Sequence, residues 1–476
     1  MDAGKSGFLP ERKPSFLIKR GGRKRKKPLF ALFFCFAIIK ELMLPSVHTP
    51  VKKLEAYRRY TTSKQFEEIK SLAAKLKGLK VNMINATPRG GGVAEILKSM
   101  VPLMKGIGLK AAWYTIPGRE DFFEITKEMH NALQGKAYDF PFGHRKRYLR
   151  HMEKSASQMC DMKADIWLIH DPQPAGVIQF LPHFHPSVCQ LHIDLTSPNQ
   201  EVWDFVAGYL EMYDRVIVSS EEFVREEIKE EAIVFPPAID PLTFKNQPLD
   251  SAWAESIVKS FGIDPKKPLI TQVSRFDPWK DPLGVIKAYY AAKKEIPDLQ
   301  LAMVGLFLAH DDPEAMKVYC RVKKETKKDP DVFLFSDPNI LGGLKVDTFV
   351  NAIQMASDII LQKSIKEGFG LTLTEAMWKG KPVIGGKAAG IKVQVNSGEN
   401  GFLAGSVQET AERIVELLNN QRLAKKMGRK AHLSVKKRFL APRLLRDYLK
   451  LFVHLTSAKP KNSEGDGKIM GILNYY

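Results

Sequence analysis

Glu367-Gly368-Phe369-Gly370-Leu371-Thr372-Leu373-Thr374-Glu375 reads as a glycine-bent loop running into a helix. Residues 364–370 lack helical periodicity, whereas 371–378 are good helix formers. An apolar strand at 359–362 precedes them, so the unit is strand, tight loop, helix. Gly368 and Gly370 let the backbone approach a ligand closely, because no Cβ stands in the way. The helix start offers unpaired N–H groups and the positive end of its dipole, which suits a phosphate or diphosphate. Glu367 and Glu375 stand eight positions apart, too far for one helical face. One falls on the loop and the other on the helix, facing two parts of one polar ligand. A sugar hydroxyl and a ribose are natural candidates, since carboxylates accept hydrogen bonds from both. A structural loop with a capping carboxylate is the plainer alternative.

Working outward, strands are expected at 269–274, 300–304, 332–335, 359–362 and 382–384, with helices at 282–294, 347–356 and 409–419. Upstream, strands are expected at 79–85, 109–116, 166–170, 188–193, 215–218 and 232–235. Gly90-Gly91-Gly92 turns the first of these into a helix at 93–105. Such alternation implies parallel sheets covered on both faces. The fold class is therefore α/β, with two doubly wound, Rossmann-like domains facing a central cleft. A Pro-rich break at Pro236, Pro237 and Pro241 and a polar stretch to Lys267 read as the linker. The first domain is placed at 51–255 and the second at 256–431. The C-terminal helical stretch 432–456, broken or kinked at Pro442, packs back on the first, and 457–476 form a tail. In doubly wound sheets ligands bind beyond the carboxyl ends of strands. Both glycine loops fall there.

A chain of 476 residues is too long for one core. Its 44% apolar and 26% charged residues are ordinary for a soluble globular protein. Cys35, Cys160, Cys189 and Cys320 form no C-x-x-C, which argues against a disulfide framework and fits a reducing, cytoplasmic compartment. The formal charge of +20 is uneven, because residues 1–50 hold eleven Lys/Arg against three Asp/Glu. The remaining excess has no aromatic interleaving of the nucleic-acid kind, and an anionic small substrate accounts for it equally well. In residues 1–50 a basic run at 20–27 precedes an apolar run at 29–39, too short to span a bilayer. An interfacial anchor, a disordered tail and sequence upstream of the true start remain open for this segment, with domain patterning expected from Val51.

Arg275 and Lys280 follow the strand at 269–274 and should share its cleft edge. Paired cations there would hold a diphosphate leaving group and take up the charge it gains. His170 ends one strand of the first domain, and His192 and Asp194 follow the next. Each His could bond a sugar hydroxyl, and Asp194 could orient an acceptor hydroxyl. His183, His185, Cys189 and His192 do not match a zinc-finger spacing. Asp329-Pro330-Asp331, which resembles a metal-binding D-x-D, sits at a strand's start, the wrong end for a site. With two cations available no metal is required.

The Glu367–Glu375 stretch resembles the E-x7-E motif of retaining GT-B glycosyltransferases. Gly90 to Glu95, His170-Asp171-Pro172-Gln173-Pro174, His192-Ile193-Asp194, Val273 to Lys280 and Glu375 to Gly385 together resemble the glycosyltransferring trehalose synthases, over residues 51–453. Ala388-Ala389-Gly390 departs from that pattern, where a second glycine is expected. The resemblance implies a nucleotide-glucose donor (ADP- or UDP-glucose), glucose as acceptor, trehalose as product, a retained α configuration and no cofactor. It implies that Glu375 binds the ribose, Glu367 the donor glucose, and Arg275 and Lys280 the diphosphate. Gly91 and Gly92 would approach the diphosphate, the 368–372 backbone (Gly368, Phe369, Gly370, Leu371 and Thr372) would line the donor pocket, and His170 would touch the donor sugar. His192 and Asp194 are left for the acceptor.

Phosphorylases that run trehalose with phosphate, and synthases using fructose phosphate, are alternatives of the same class. A non-catalytic sugar or nucleotide binder, and a membrane-surface transferase with a lipid acceptor, are alternatives of other classes. The expected assembly is a cytoplasmic homodimer acting on small molecules, with no nucleic acid and no stable membrane association.

Overall fold

Twelve short strands among the described residues form two six-stranded sheets. The computed structural model describes residues 43–118, 120–306 and 313–457. The runs at 20–27 and 29–39 and the tail after Ser457 lie outside them. The first sheet holds β1 (Lys80–Asn85), β2 (Lys110–Thr115), β3 (Ile166–His170), β4 (Ser187–Gln190), β5 (Arg215–Val218) and β6 (Ala232–Val234), in the order β2-β1-β3-β4-β5-β6. The second holds β7 (Leu269–Val273), β8 (Gln300–Val304), β9 (Val332–Phe335), β10 (Ile359–Gln362), β11 (Val383–Gly385) and β12 (Phe402–Leu403), in the order β12-β11-β10-β7-β8-β9. Every neighbouring pair is parallel. The central strands β3, β7, β8 and β10 are buried throughout, as a sheet with both faces covered requires.

In each sheet the strand order reverses once, between β1 and β3 and between β7 and β10. Such reversal points open the crevice where ligands bind. The first is flanked by the Gly90–Gly92 loop and His170. The second is flanked by the loop holding Arg275 and Lys280 and by the loop 363–370. Gly90 and Gly91 have φ of 72° and 73°, so two successive left-handed residues turn the chain into the helix Gly91–Gly106.

The structure departs from the sequence expectations in four places. The expected strand 188–193 ends at Gln190; Leu191 N still donates to Ile217 O of β5 at 2.8 Å, and the chain leaves the ladder after it. The stretch read as linker contains the helix Ser251–Ser260, which buries Ala254, Ile257 and Val258 in the second lobe. The lobe boundary therefore precedes Ser251 instead of falling at 255/256. The stretch 432–456 falls in two helices, Gln421–Arg438 on the second lobe and Ala441–Ser457 on the first. They part at Phe439-Leu440, where Leu440 pairs with Ile239, so both lobe crossings run side by side. Pro442 breaks nothing: it occupies the first turn of the last helix, where its missing N–H leaves no bond unmade.

The fourth departure lies at residues 44–50, which the sequence places outside the domain. Val47 N donates to Trp113 O at 2.8 Å and Thr115 N to Pro45 O at 2.9 Å, adding an antiparallel segment to the edge strand β2. Leu44 is buried, and Lys105 Nζ bonds Thr49 Oγ1 at 2.8 Å. A chain starting at Val51 should thus melt a few degrees below one starting at Met43, since the lost Leu44 burial alone is worth about 2 kcal/mol. Superimposable melting curves would contradict this.

Candidate functional site

The loop after β7 is set by its own polar groups. Asp277 caps the following turn through Trp279 N at 2.9 Å and holds the Arg275 guanidinium at 2.9 Å. Gln272 Nε2 donates to Lys280 O at 3.0 Å, fixing Lys280 beside the strand it follows. Lys280 Nζ then reaches Glu367 Oε2 at 2.7 Å. The same oxygen accepts from Ser364 Oγ at 2.9 Å and Gln362 Nε2 at 3.2 Å. All three bonds converge on Oε2, and Oε1 takes none of them. Gly370, with φ of 89°, then opens the helix Leu371–Trp378, as the sequence predicts. Phe369 O is held by Gln394 Nε2, and Thr372 Oγ1 donates to Gln362 Oε1 at 3.1 Å. The loop is thus a braced cradle with cations on one side and a helix start on the other.

The first lobe presses directly on this cradle. Glu367 N donates to Asp194 Oδ2 at 3.2 Å, and Lys366 Nζ bonds Thr196 Oγ1 at 2.6 Å and Ser197 Oγ at 2.6 Å. Ser219 Oγ donates to Gly368 O. A Cβ at Gly92 would lie 3.4 Å from Leu371 Cδ1, so the two glycine loops do face one another. Asp194 is nearly fully buried, and Oδ1 accepts from Thr196 N at 3.0 Å. Both its oxygens are therefore engaged in holding the loop from across the cleft.

Gly368 is needed for close approach: a Cβ there would come within 1.9 Å of His192 O. Neither backbone can yield without parting the lobes. Gly368→Ala should lower kcat/KM by about tenfold or more, the effect of a 1–3 kcal/mol overpacking strain carried by the closed form. Wild-type kcat/KM in this variant would show that the contact is not part of the working site.

His170 and His192 meet at 3.1 Å between Nδ1 and Nε2, with rings stacked 5.3 Å apart. Burial pushes both below the ordinary histidine pKa, His192 to about 3, so both are neutral near pH 7. His170 Nε2 is buried with no hydrogen-bond partner, one polar atom left for a ligand. Asp171 sits behind the pair with φ of 70°, its Oδ1 accepting from His192 N at 2.8 Å. Burial lifts its carboxyl to about 7, against the lowering effect of that N–H. A carboxyl raised on folding keeps its proton while the unfolded chain has lost its own, so stability falls as pH rises towards 7. Asp171→Asn should therefore gain stability relative to the parent over that interval. Parallel stability-against-pH curves for the two proteins would contradict the assignment.

Glu375 lies on the helix, one turn in. Its Oε1 pairs with Lys245 Nζ at 3.4 Å, and Lys245 also meets Glu95 of the first lobe at 3.2 Å. Burial raises the Glu375 pKa, countered by Lys245 and Lys379. Its Oε2 is buried and without a partner. Lys379 is itself pulled down to about 8 by burial. The sequence did not single out Lys245, because it sits in the presumed linker with no motif around it. Nor did it single out the helix Glu120–Leu133, whose Asn131 Oδ1 accepts from Trp279 Nε1 at 3.4 Å and whose His130 is held down to about 4 by burial and by Arg275.

The two metal-like patterns are used otherwise. His185 Nδ1 pairs with Asp214 Oδ2 at 2.8 Å, and Lys293 Nζ holds Asp331 Oδ2 at 2.7 Å and Asp329 Oδ1 at 3.4 Å. Among the described residues no three His, Cys, Asp or Glu side chains converge, and no helix is long and apolar enough to cross a membrane.

Residues 83–225 match the model of the trehalose synthase N-terminal domain, and 254–433 that of the group 1 glycosyl transferases. The chain is 43% identical over 400 residues to the trehalose synthase of Pyrococcus horikoshii, covering 84% of this chain and 95% of that protein. It is 40% identical over 419 residues to that of Rubrobacter xylanophilus, covering 87% and 99%. Among solved structures, an α,α-trehalose-phosphate synthase from Burkholderia xenovorans superimposes with a TM-score of 0.65 at 12% identity, over 80% of this chain and all of that one. That last likeness concerns the two-lobed GT-B fold alone.

Proposed function

Since the chain belongs to the trehalose synthase family of glycosyltransferases, we propose that it moves glucose from a nucleoside-diphosphate glucose to glucose, giving trehalose reversibly and with retention. One observation carries the reading. Lys280, Glu367 and the start of the helix Leu371–Trp378 converge at one strand-order reversal, with the His170–His192 pair delivered from the other lobe.

In this reading Arg275 and Lys280 face the diphosphate and take up the charge it gains as the bond to glucose breaks. The N–H groups at the start of the helix assist. Glu375 offers its unpartnered Oε2 to the ribose hydroxyls, and Glu367 offers Oε1 to the donor sugar. His170 faces that sugar and His192 the acceptor side, both neutral and able to donate or accept. Asp194, Ser219 and Lys366 hold the lobes together and exclude water, which would otherwise compete as acceptor.

The bond from the anomeric carbon to the phosphate oxygen breaks, and a bond to the acceptor oxygen forms on the same face. The acceptor proton passes to the departing phosphate. Glu367 is engaged in gripping the sugar, so no covalent glycosyl-enzyme is invoked. The charge on Arg275 and Lys280 serves where a divalent ion would otherwise be needed. The test is nucleoside-diphosphate release from ADP- and UDP-glucose across a panel of acceptors, with a chelator present. Glucose should accelerate release from at least one donor. Release that no acceptor accelerates would overturn the reading.

A further inference from the structure

Away from the donor loop, the helices Glu120–Leu133 and Phe142–Ser157 enclose a pocket of about 290 Å³ with the turn that follows β2. This is the small end of ligand-sized cavities. Its apolar floor is Phe122 and Ile125, and its wall is Arg147, Arg150, His151 and Lys154. Those four fall at i, i+3, i+4 and i+7 of one helix and so share one face. Arg147, Arg150 and Lys154 are exposed, and like charges so placed repel modestly, a repulsion that a bound anion would relieve. Among the described residues none of Arg147, Arg150 and Lys154 has a carboxylate in ion-pair contact; Arg147 Nε meets only Gly143 O, at 3.3 Å. Asp121 is the pocket's one acidic side chain, and its Oδ1 accepts from Phe122 N at 3.0 Å. His151 stacks on Phe122 with ring centroids 3.7 Å apart, and its Nε2 is buried with no partner.

We propose that this pocket is an anion site on the first lobe, taking a phosphate-class oxyanion: inorganic phosphate or the phosphoryl group of a sugar phosphate. Two guanidinium forks and an ammonium supply charge-assisted donors of the kind that grip phosphoryl oxygens, and Phe122 and Ile125 leave an apolar floor for an attached sugar. No residue of the donor cradle lines it, so it is a second site. The helix Glu120–Leu133 that floors it also reaches the second lobe, through Asn131 to Trp279 and Lys127 to Glu314 at 3.8 Å. A ligand there touches the element that bridges the cleft.

The site is tested by calorimetric titration of the full chain with inorganic phosphate and, separately, with a hexose 6-phosphate. The donor cradle is first saturated with nucleoside diphosphate. At least one titrant should bind saturably with Kd of about 1 mM or tighter. The Arg147→Gln/Arg150→Gln double variant changes exposed side chains only, and its fold is checked by melting. It should bind about tenfold or more weakly, as loss of a charge-assisted hydrogen bond predicts. Binding of both titrants marks a phosphate site, and binding of the ester alone marks a sugar-phosphate site. No saturable binding by the parent, equal binding by the double variant, or binding abolished by nucleoside diphosphate would each overturn the proposal.

Discussion

Replacing Lys280 with methionine, or Arg275 with alanine, is expected to lower kcat by about a hundredfold or more, the loss seen when a preorganised group facing developing charge is removed. The two cations differ in setting. Lys280 is largely buried and held to Glu367 at 2.7 Å, whereas Arg275 is about half exposed and braced by Asp277. Water can partly replace an exposed charge, so Lys280 should show the larger loss. Removing Lys280 leaves Glu367 with Ser364 and Gln362 as donors, so the loop should stay in place. Melting temperature should then change little while turnover collapses. Near-normal turnover in either variant, measured with a chelator present, would contradict the leaving-group role.

Glu367→Ala is expected to lower kcat/KM for the donor by at least a comparable factor, about a hundredfold. Its carboxylate gathers Lys280, Ser364 and Gln362 on Oε2, so removing it frees three donors at once. Asp194 holds the backbone of residue 367 and not its side chain, so the loop remains tethered to the first lobe. The damage should therefore be chemical more than structural. Glu375→Ala is the control. It lies on the helix that follows, paired through Oε1 with Lys245 and with Oε2 unpartnered, so in the proposed ribose role it should mainly raise the donor KM. If Glu375→Ala abolished kcat while Glu367→Ala raised KM alone, the assignments of the two carboxylates would have to be exchanged.

The residues proposed for the donor are legible because they sit at strand ends within one local unit. Arg275 and Lys280 follow β7, Glu367 follows β10, and Gly368 and Gly370 punctuate the second of these loops. Strand periodicity and turn chemistry are local signals, and a doubly wound topology converts them into a place. What stayed hidden is non-local. Nothing near Asp194 in sequence marks that the loop carrying Glu367 rests on it, 173 positions along the chain. Lys245 joins Glu95 to Glu375 across the two lobes, and nothing beside it in sequence marks that. Residues 44–50 carry two prolines and no alternation, yet Pro45 O and Val47 N pair with β2 because an edge strand accepts any extended neighbour. The strand β12 is two residues long, too short to show a period.

The anomeric configuration of the product tests the central claim most directly. With glucose and whichever nucleotide-glucose the enzyme accepts, proton NMR of the purified product should show a symmetric disaccharide with a single α anomeric signal and no reducing end, as an α,α-1,1 linkage requires. A β anomeric signal, or no disaccharide from glucose with either ADP-glucose or UDP-glucose, would contradict it.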